Sequence, residues 1–223
     1  MKKIFVFIFL FMFCFLLQVN RAYAVSTIYG STGLITMPTA EAAKYKEFDI
    51  AFDYNFASNN TLNQNSNTYY YKAIIGIFKG WELGLVGGST PTEGAYINVK
   101  YSIVSDSSRF PFSVAAGLEK LASLTKTELY LAASKKFEFG LSANLGFKTD
   151  FVRIQPSIMG GLEYFLSDQF SILADITGKE RQYTINGGAR FTVIPDLTIR
   201  GAVLSIGDTS MSYSVGISYA KFF

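Results

Sequence analysis

The C-terminal stretch from Met211 to Phe223 reads M-S-Y-S-V-G-I-S-Y-A-K-F-F. Tyr213, Val215, Ile217 and Tyr219 alternate with Ser212, Ser214, Gly216, Ser218 and Ala220. Successive side chains of a β-strand point to opposite faces, so this segment has one apolar face and one of small or polar groups. Its last two residues are Phe222 and Phe223.

The same device recurs upstream. Phe48, Ile50, Phe52, Tyr54 and Phe56 alternate with Glu47, Asp49, Ala51, Asp53 and Asn55, and comparable runs cover 95–103, 137–147 and 183–193. A period of two held over ~10 residues signals a strand, and no helical period competes with it. Counting such segments predicts about twelve strands, an even number of the kind bacterial barrels use. They fall at 46–57, 68–78, 81–89, 94–104, 110–118, 126–134, 137–148, 153–165, 170–177, 182–193, 197–205 and 211–223. The phase is weakest in the second, where Tyr69-Tyr70-Tyr71 blurs it, and in the eleventh, where Arg200 and Leu204 share a face.

The connections alternate in kind. Lys79-Gly80, 105–109, Lys135-Lys136, 166–169 and 194–196 are tight, whereas most of the others are longer or more polar, above all 57–67. Short turns at one end and long loops at the other predict an all-β, up-and-down antiparallel barrel, with the short turns periplasmic and both chain ends on that side.

Periodicity alone does not say which face points out. A soluble, lipocalin-like barrel turns its apolar face inward, and a transmembrane β-barrel reverses this. Aromatic residues beside the short turns (Phe78, Trp81, Phe110, Phe112, Phe137, Phe139, Tyr164, Phe170, Phe191, Tyr219 and Phe223) read as an interfacial girdle and favour the membrane. The crowding of Gly, Ser and Ala on the opposite face fits a confined lumen. Twelve tilted strands give a backbone cylinder roughly 24 Å across.

Residues 1–24 read as a signal peptide. Lys2 and Lys3 precede an apolar run from Ile4 to Leu17, and Ala22-Tyr23-Ala24 forms an A-x-A cleavage site. Lys2, Lys3 and Arg21 leave with this leader, so the 20 basic residues fall to 17 against 17 acidic ones. The mature chain is near neutral, which argues against a nucleic-acid partner. Cys14 also lies in the leader and the chain has no histidine, which excludes a disulfide scaffold and Cys/His zinc sites. Neither a cofactor nor a metal is expected.

An aromatic last residue on an alternating strand resembles the terminal signature of bacterial outer-membrane β-barrel proteins. The resemblance implies that Tyr219 and Phe223 act as an assembly signal, with the barrel-assembly machinery and outer-membrane lipids as partners. The expected location is the outer membrane of a diderm bacterium, after cleavage near Ala24.

Residues 25–45 differ from the rest. Gly30-Ser-Thr-Gly-Leu-Ile-Thr-Met-Pro-Thr-Ala40 is turn-rich, and no Gly-Lys-Ser/Thr follows to make a phosphate loop. Leu34, Ile35 and Met37 are apolar residues outside any strand, which predicts a lead-in or plug that caps the mouth or enters the lumen ahead of a barrel at 46–223. Gly30 and Gly33 permit the sharp turns this needs. The pattern G-x-T-G-L-I-x-M-P-T-A, followed by Phe48-Asp-Ile-Ala-Phe52, resembles the start of the YjbH-like exopolysaccharide-associated outer-membrane proteins over residues 30–54. The resemblance implies a role in exopolysaccharide production or export, with polysaccharide or export-machinery proteins as partners.

The expected lumen lining holds Glu47, Asp49, Asp53, Glu82, Glu128, Glu138, Glu163 and Asp175, opposed by Lys100, Arg190 and Arg200. Mixed charge there reads either as a mutually neutralising network or as a polar path for sugars or ions. Catalysis is disfavoured, because histidine is the usual titrating group near neutral pH and is lacking. Asp49 and Asp53 share a strand face but sit ~13 Å apart, too far for either glycosidase geometry. The sequence therefore predicts a non-enzymatic barrel, associated with exopolysaccharide or acting as a small pore or structural barrel. The mature chain should fractionate with the outer membrane and need detergent for extraction; its release in soluble form on osmotic shock would overturn this.

Overall fold

The computed structural model describes residues 25–57, 67–90, 94–107, 110–123, 126–151, 155–179, 182–208 and 211–223, so the expected signal peptide lies outside the described residues. Twelve strands run through them: β1 (Glu47–Ala57), β2 (Thr68–Phe78), β3 (Trp81–Gly88), β4 (Tyr96–Val104), β5 (Ser113–Leu121) and β6 (Glu128–Lys136), then β7 (Leu141–Asp150), β8 (Pro156–Phe165), β9 (Phe170–Lys179), β10 (Gln182–Ile194), β11 (Leu197–Leu204) and β12 (Ser212–Phe222). Each pairs antiparallel with its sequence neighbours, and β1 closes on β12. The closing register runs from Glu47 opposite Phe222 to Ala57 opposite Ser212. Closure leaves no strand edge unpaired, the condition for a sheet to stand in hydrocarbon.

The apolar face points outward. Ile50, Leu85, Leu145, Ile158 and Ile217 are exposed around the wall, while Glu47, Asp49, Asp53, Lys100 and Asp175 are buried inside it. This is a transmembrane barrel, the inverse of a soluble one. The aromatics named above form the girdle at the short-turn end, and Phe56, Tyr69, Phe151, Tyr183 and Tyr213 form a second at the long-loop end. At the seam, Phe48 lies against Tyr219 and Phe223, with ring centroids 6.3 and 6.2 Å away. The amide of Phe223 donates to the Lys46 carbonyl at 3.1 Å.

Two departures from the sequence expectation, in β7 and β5, change which residues face the lumen. β7 begins at Leu141 rather than 137, because Phe137–Gly140 forms the turn from β6. The Phe137 amide bonds to the Leu141 carbonyl at 2.8 Å, and Gly140 takes φ +85°. Glu138 is therefore an exposed turn residue and does not line the lumen, a correction to the expected set. The alternation runs through this turn without a break in phase, so periodicity alone could not reveal it. Lys135 and Lys136, expected as the turn, pair instead with Ala143 and Ser142.

β5 starts three residues later than expected and carries a bulge, seen as the register shift between Ile97 and Val99. Lys120 there has φ 59°. A bulge re-aims side chains, and here it turns the consecutive residues Glu119 and Lys120 both inward, where they are buried.

The lumen is filled by residues 25–45. Ile28, Leu34, Ile35 and Met37 form an apolar cluster with Val86, Tyr130, Met159 and Leu173, which project from the inner wall. Full burial of each large apolar side chain contributes ~1.5–3 kcal/mol. Leu204 packs against the same cluster, which explains why an apolar residue shares a face with Arg200.

The outward face makes a direct prediction. Leu145 is 68% exposed, on the lipid side of β7. Leu145→Arg should destabilise the barrel in a bilayer by about 2–4 kcal/mol, the range for a cation near the midplane of such a wall. Urea unfolding in lipid vesicles measures this, and a neutral substitution would contradict the lipid-facing assignment.

Candidate functional site

An irregular segment inside a barrel needs partners for its peptide groups, because a buried amide or carbonyl without a hydrogen bond is destabilising. The wall charges supply them, with acids taking amides and bases taking carbonyls.

Asp175, at the middle of β9, collects three consecutive amides. Its Oδ2 accepts from the backbone of Ile35 at 3.0 Å, Thr36 at 2.7 Å and Met37 at 3.0 Å. Its Oδ1 accepts from Thr36 Oγ1 at 3.1 Å and from Asn186 Nδ2 at 2.6 Å. Glu82 on β3 plays the same part on the other side, accepting from the amides of Thr32 at 2.9 Å and Ala43 at 2.8 Å. Ser134 accepts from Ala40 at 2.9 Å, and Glu47 from Lys44 at 2.8 Å.

The cations complement this. Lys100 donates to the carbonyls of Thr32 at 2.6 Å and Glu41 at 2.9 Å, with Glu82 3.7 Å away. Arg190 donates to the carbonyls of Gly33 and Leu34 and pairs with Glu163 at 3.2 Å. Arg200 donates to the Ser26 carbonyl at 2.6 Å, and Lys72 to that of Thr27 at 2.6 Å. Both also pair with Asp53. Arg200 reaches Asp53 across Gly216, where a Cβ would lie 2.1 Å from the Asp53 carboxylate. Asp49 accepts from the Ser218 hydroxyl at 2.5 Å and the Ser26 amide at 3.3 Å. Glu128 lies apart from the segment, paired with Lys126 at 2.7 Å and Lys148 at 3.3 Å.

Of the residues expected to line the lumen, all but Glu138 are buried inside the wall, and Leu34, Ile35 and Met37 lie at the centre. Sequence reasoning missed Lys72, Asn98, Glu119, Lys120 and Asn186. Lys72 shares the inward face of β2 with Tyr70 and Ile74, a phase hidden by the tyrosine run. Glu119 and Lys120 lay beyond the expected end of the fifth strand. The inward apolar residues carried a usable signal: Ile74, Val86, Met159 and Leu173, with the tyrosines Tyr70, Tyr96 and Tyr130, interrupt a face otherwise made of small and polar groups.

The segment stands between two vestibules. One of about 90 Å³ opens at the short-turn end, lined by Glu41, Lys136, Glu163, Asp168 and Arg190 among others. The second, about 300 Å³, lies at the long-loop end and includes Tyr29, Asn55, Tyr70, Thr184 and Ser212. Among the described residues no cluster of three His, Cys, Asp or Glu side chains is placed to hold a metal ion.

No protein-family model matches the chain. No curated protein matches it either. Among solved structures it is similar to the KdgM porin, with a TM-score of 0.63 and 16% identity over 78% of this chain and 99% of that one. The KdgM porin in complex with disordered oligogalacturonate gives a TM-score of 0.62 at 15% identity, over 78% of this chain and 99% of that one. The NanC porin gives 0.53 at 14% identity, over 79% and 99% of the two chains. At these identities the similarity establishes a shared fold, the closed barrel of the porins.

Asp175 and Gly33 test the geometry. Asp175→Ala removes a charged acceptor of three amides, and hydrogen bonds to charged groups are worth ~1.5–3 kcal/mol. Hydrogen exchange at the amides of Ile35, Thr36 and Met37 should rise at least about tenfold, while that of the strands holds. Gly33→Ala should act alike, since its Cβ would meet the Met37 carbonyl oxygen at 2.2 Å. Unchanged exchange in both variants would exclude the anchoring.

Proposed function

We propose that this chain is a non-enzymatic outer-membrane barrel of a diderm bacterium, shut by its own residues 25–45 and serving exopolysaccharide production or export. The closed state rests on one observation. The buried wall charges Lys72, Glu82, Lys100, Asp175, Arg190 and Arg200 each bond the backbone of that segment. A lumen built for free diffusion leaves such groups to water and solute, whereas here they hold a plug.

The polysaccharide role rests on the resemblance of residues 30–54 to the YjbH-like proteins. Those residues are the plug from Gly30 onward and most of β1, so the resemblance covers the segment that fills the lumen and the strand that follows it. Outer-membrane lipids meet the apolar belt, and the barrel-assembly machinery reads the C-terminal strand through Tyr219 and Phe223. The proposed orientation puts the short-turn end, with residues 25 and 223, in the periplasm.

A second reading, a small pore or structural barrel without a polysaccharide role, is favoured by the porin-type fold and by the vestibules on either side of the plug. Planar-bilayer conductance and polymer yield separate the readings. The full chain should conduct weakly, and deletion of residues 27–40 should raise conductance several-fold in barrels that still assemble. Equal conductance in the two proteins would refute the plug. Loss of extracellular polymer from a strain lacking the gene, restored by the full chain, supports the first reading; unchanged polymer with gated conductance leaves the second.

A further inference from the structure

We infer that the vestibule at the long-loop end is a binding site for a neutral saccharide unit, an inference that rests on the plug being seated, because the plug is its floor. The cup holds about 300 Å³ and is lined by Tyr29 and Thr36 from the plug and by Asn55, Thr68, Tyr70, Thr184, Asn186, Leu204, Ser205 and Ser212 from the wall. That volume is at the lower end of small-ligand sites, roughly 300–1,000 Å³.

Among the described residues the lining contains no Asp, Glu, Lys or Arg, although charged residues dominate the layer below it. An ionic ligand would find no counter-charge among these lining side chains, and a purely apolar one would strip water from their hydroxyls and amides without replacing the hydrogen bonds. A polyhydroxylated, uncharged ligand matches on both counts. Thr68, Thr184 and Ser212 bring hydroxyls that both donate and accept. Tyr29 and Tyr70 meet edge to face with centroids 6.2 Å apart, with Lys120 Nζ 4.6 Å from the Tyr29 centroid, and the ring surface that lines the cup suits the C–H face of a sugar.

The walls are also fixed in place. Asn186 bonds Thr36 Oγ1 at 3.0 Å and accepts from the Ser205 amide at 3.0 Å, joining floor to wall. Thr90 donates to the Tyr70 hydroxyl at 3.2 Å, and Asn55 to Thr68 Oγ1 at 3.3 Å. Held this way, the cup does not have to be ordered by its ligand, which lowers the entropic cost of binding.

Saturation-transfer NMR on the full chain in detergent micelles tests this with four probes: cellobiose, a galacturonate dimer, a glucosamine dimer and trialanine. Cellobiose should show at least several-fold stronger transfer than the other three. Thr184→Trp, which fills the cup, should abolish it, and Glu41→Gln in the opposite vestibule should leave it intact. If Thr184→Trp fails to assemble, Ser212→Phe fills the cup from the neighbouring wall. Transfer that is equal among probes, stronger for a charged dimer or for trialanine, or insensitive to filling the cup overturns the site. Limited proteolysis of residues 25–45 in the same sample separates the two levels. No cellobiose transfer with a protected plug overturns the saccharide site alone, and a protease-sensitive plug in the intact chain overturns both.

Discussion

A charge enclosed in a dry lumen must have a partner, and so must a peptide group. Neither the inner wall nor the N-terminal segment meets that requirement by itself. Among the described residues, Asp175 without the plug is a buried carboxylate left to Asn186, and Arg190 without the carbonyls of Gly33 and Leu34 is left to Glu163. Desolvating an ion costs several kcal/mol even after relaxation. The same penalty attaches in smaller units to each peptide group of the plug. Wall and plug therefore stabilise each other.

The protein consequently has two apolar surfaces that obey different solvents. The outer belt, with Ile50, Leu145 and Ile217, is matched to hydrocarbon and gains nothing from packing on other protein atoms. The inner cluster around Leu34, Ile35 and Met37 is different, because an unplugged lumen would hold water. The hydrophobic effect acts there as in a soluble core. Burial supplies attraction to the lumen, and the charged hydrogen bonds set orientation and register. The arrangement resembles a small soluble core built inside out within a membrane wall.

Shape sets what the ends of the barrel offer. The short-turn vestibule carries Glu41, Lys136, Glu163, Asp168 and Arg190, so its surface is ionic. The described lining of the long-loop vestibule is hydroxyl- and amide-bearing, with the rings of Tyr29 and Tyr70. Both are made partly of plug residues, so a solute entering either end meets the plug as well as the wall.

Much of this fold was legible from alternation, because a strand has a side-chain period of two and the two sides of a membrane wall face chemically opposite solvents. That contrast wrote twelve segments into the sequence, with β2 and β10 starting at the residues where the pattern starts. Alternation also placed Asp49, Asp53, Lys100, Asp175, Arg190 and Arg200 on the inner face, and the unused apolar residues Leu34, Ile35 and Met37 marked a segment needing cover. What alternation does not encode is backbone geometry that leaves the phase intact or breaks it by one residue. Gly140 turns the chain within an unbroken pattern and carries Glu138 out of the wall, and the bulge in β5 adds one inward residue, Lys120. Nor does a linear pattern encode pairing across the lumen. Asp175 meets Ile35, Thr36 and Met37 from about 140 positions away, a contact fixed only when the β1–β12 seam closes and the enclosed segment must satisfy its peptide groups with whatever the wall presents.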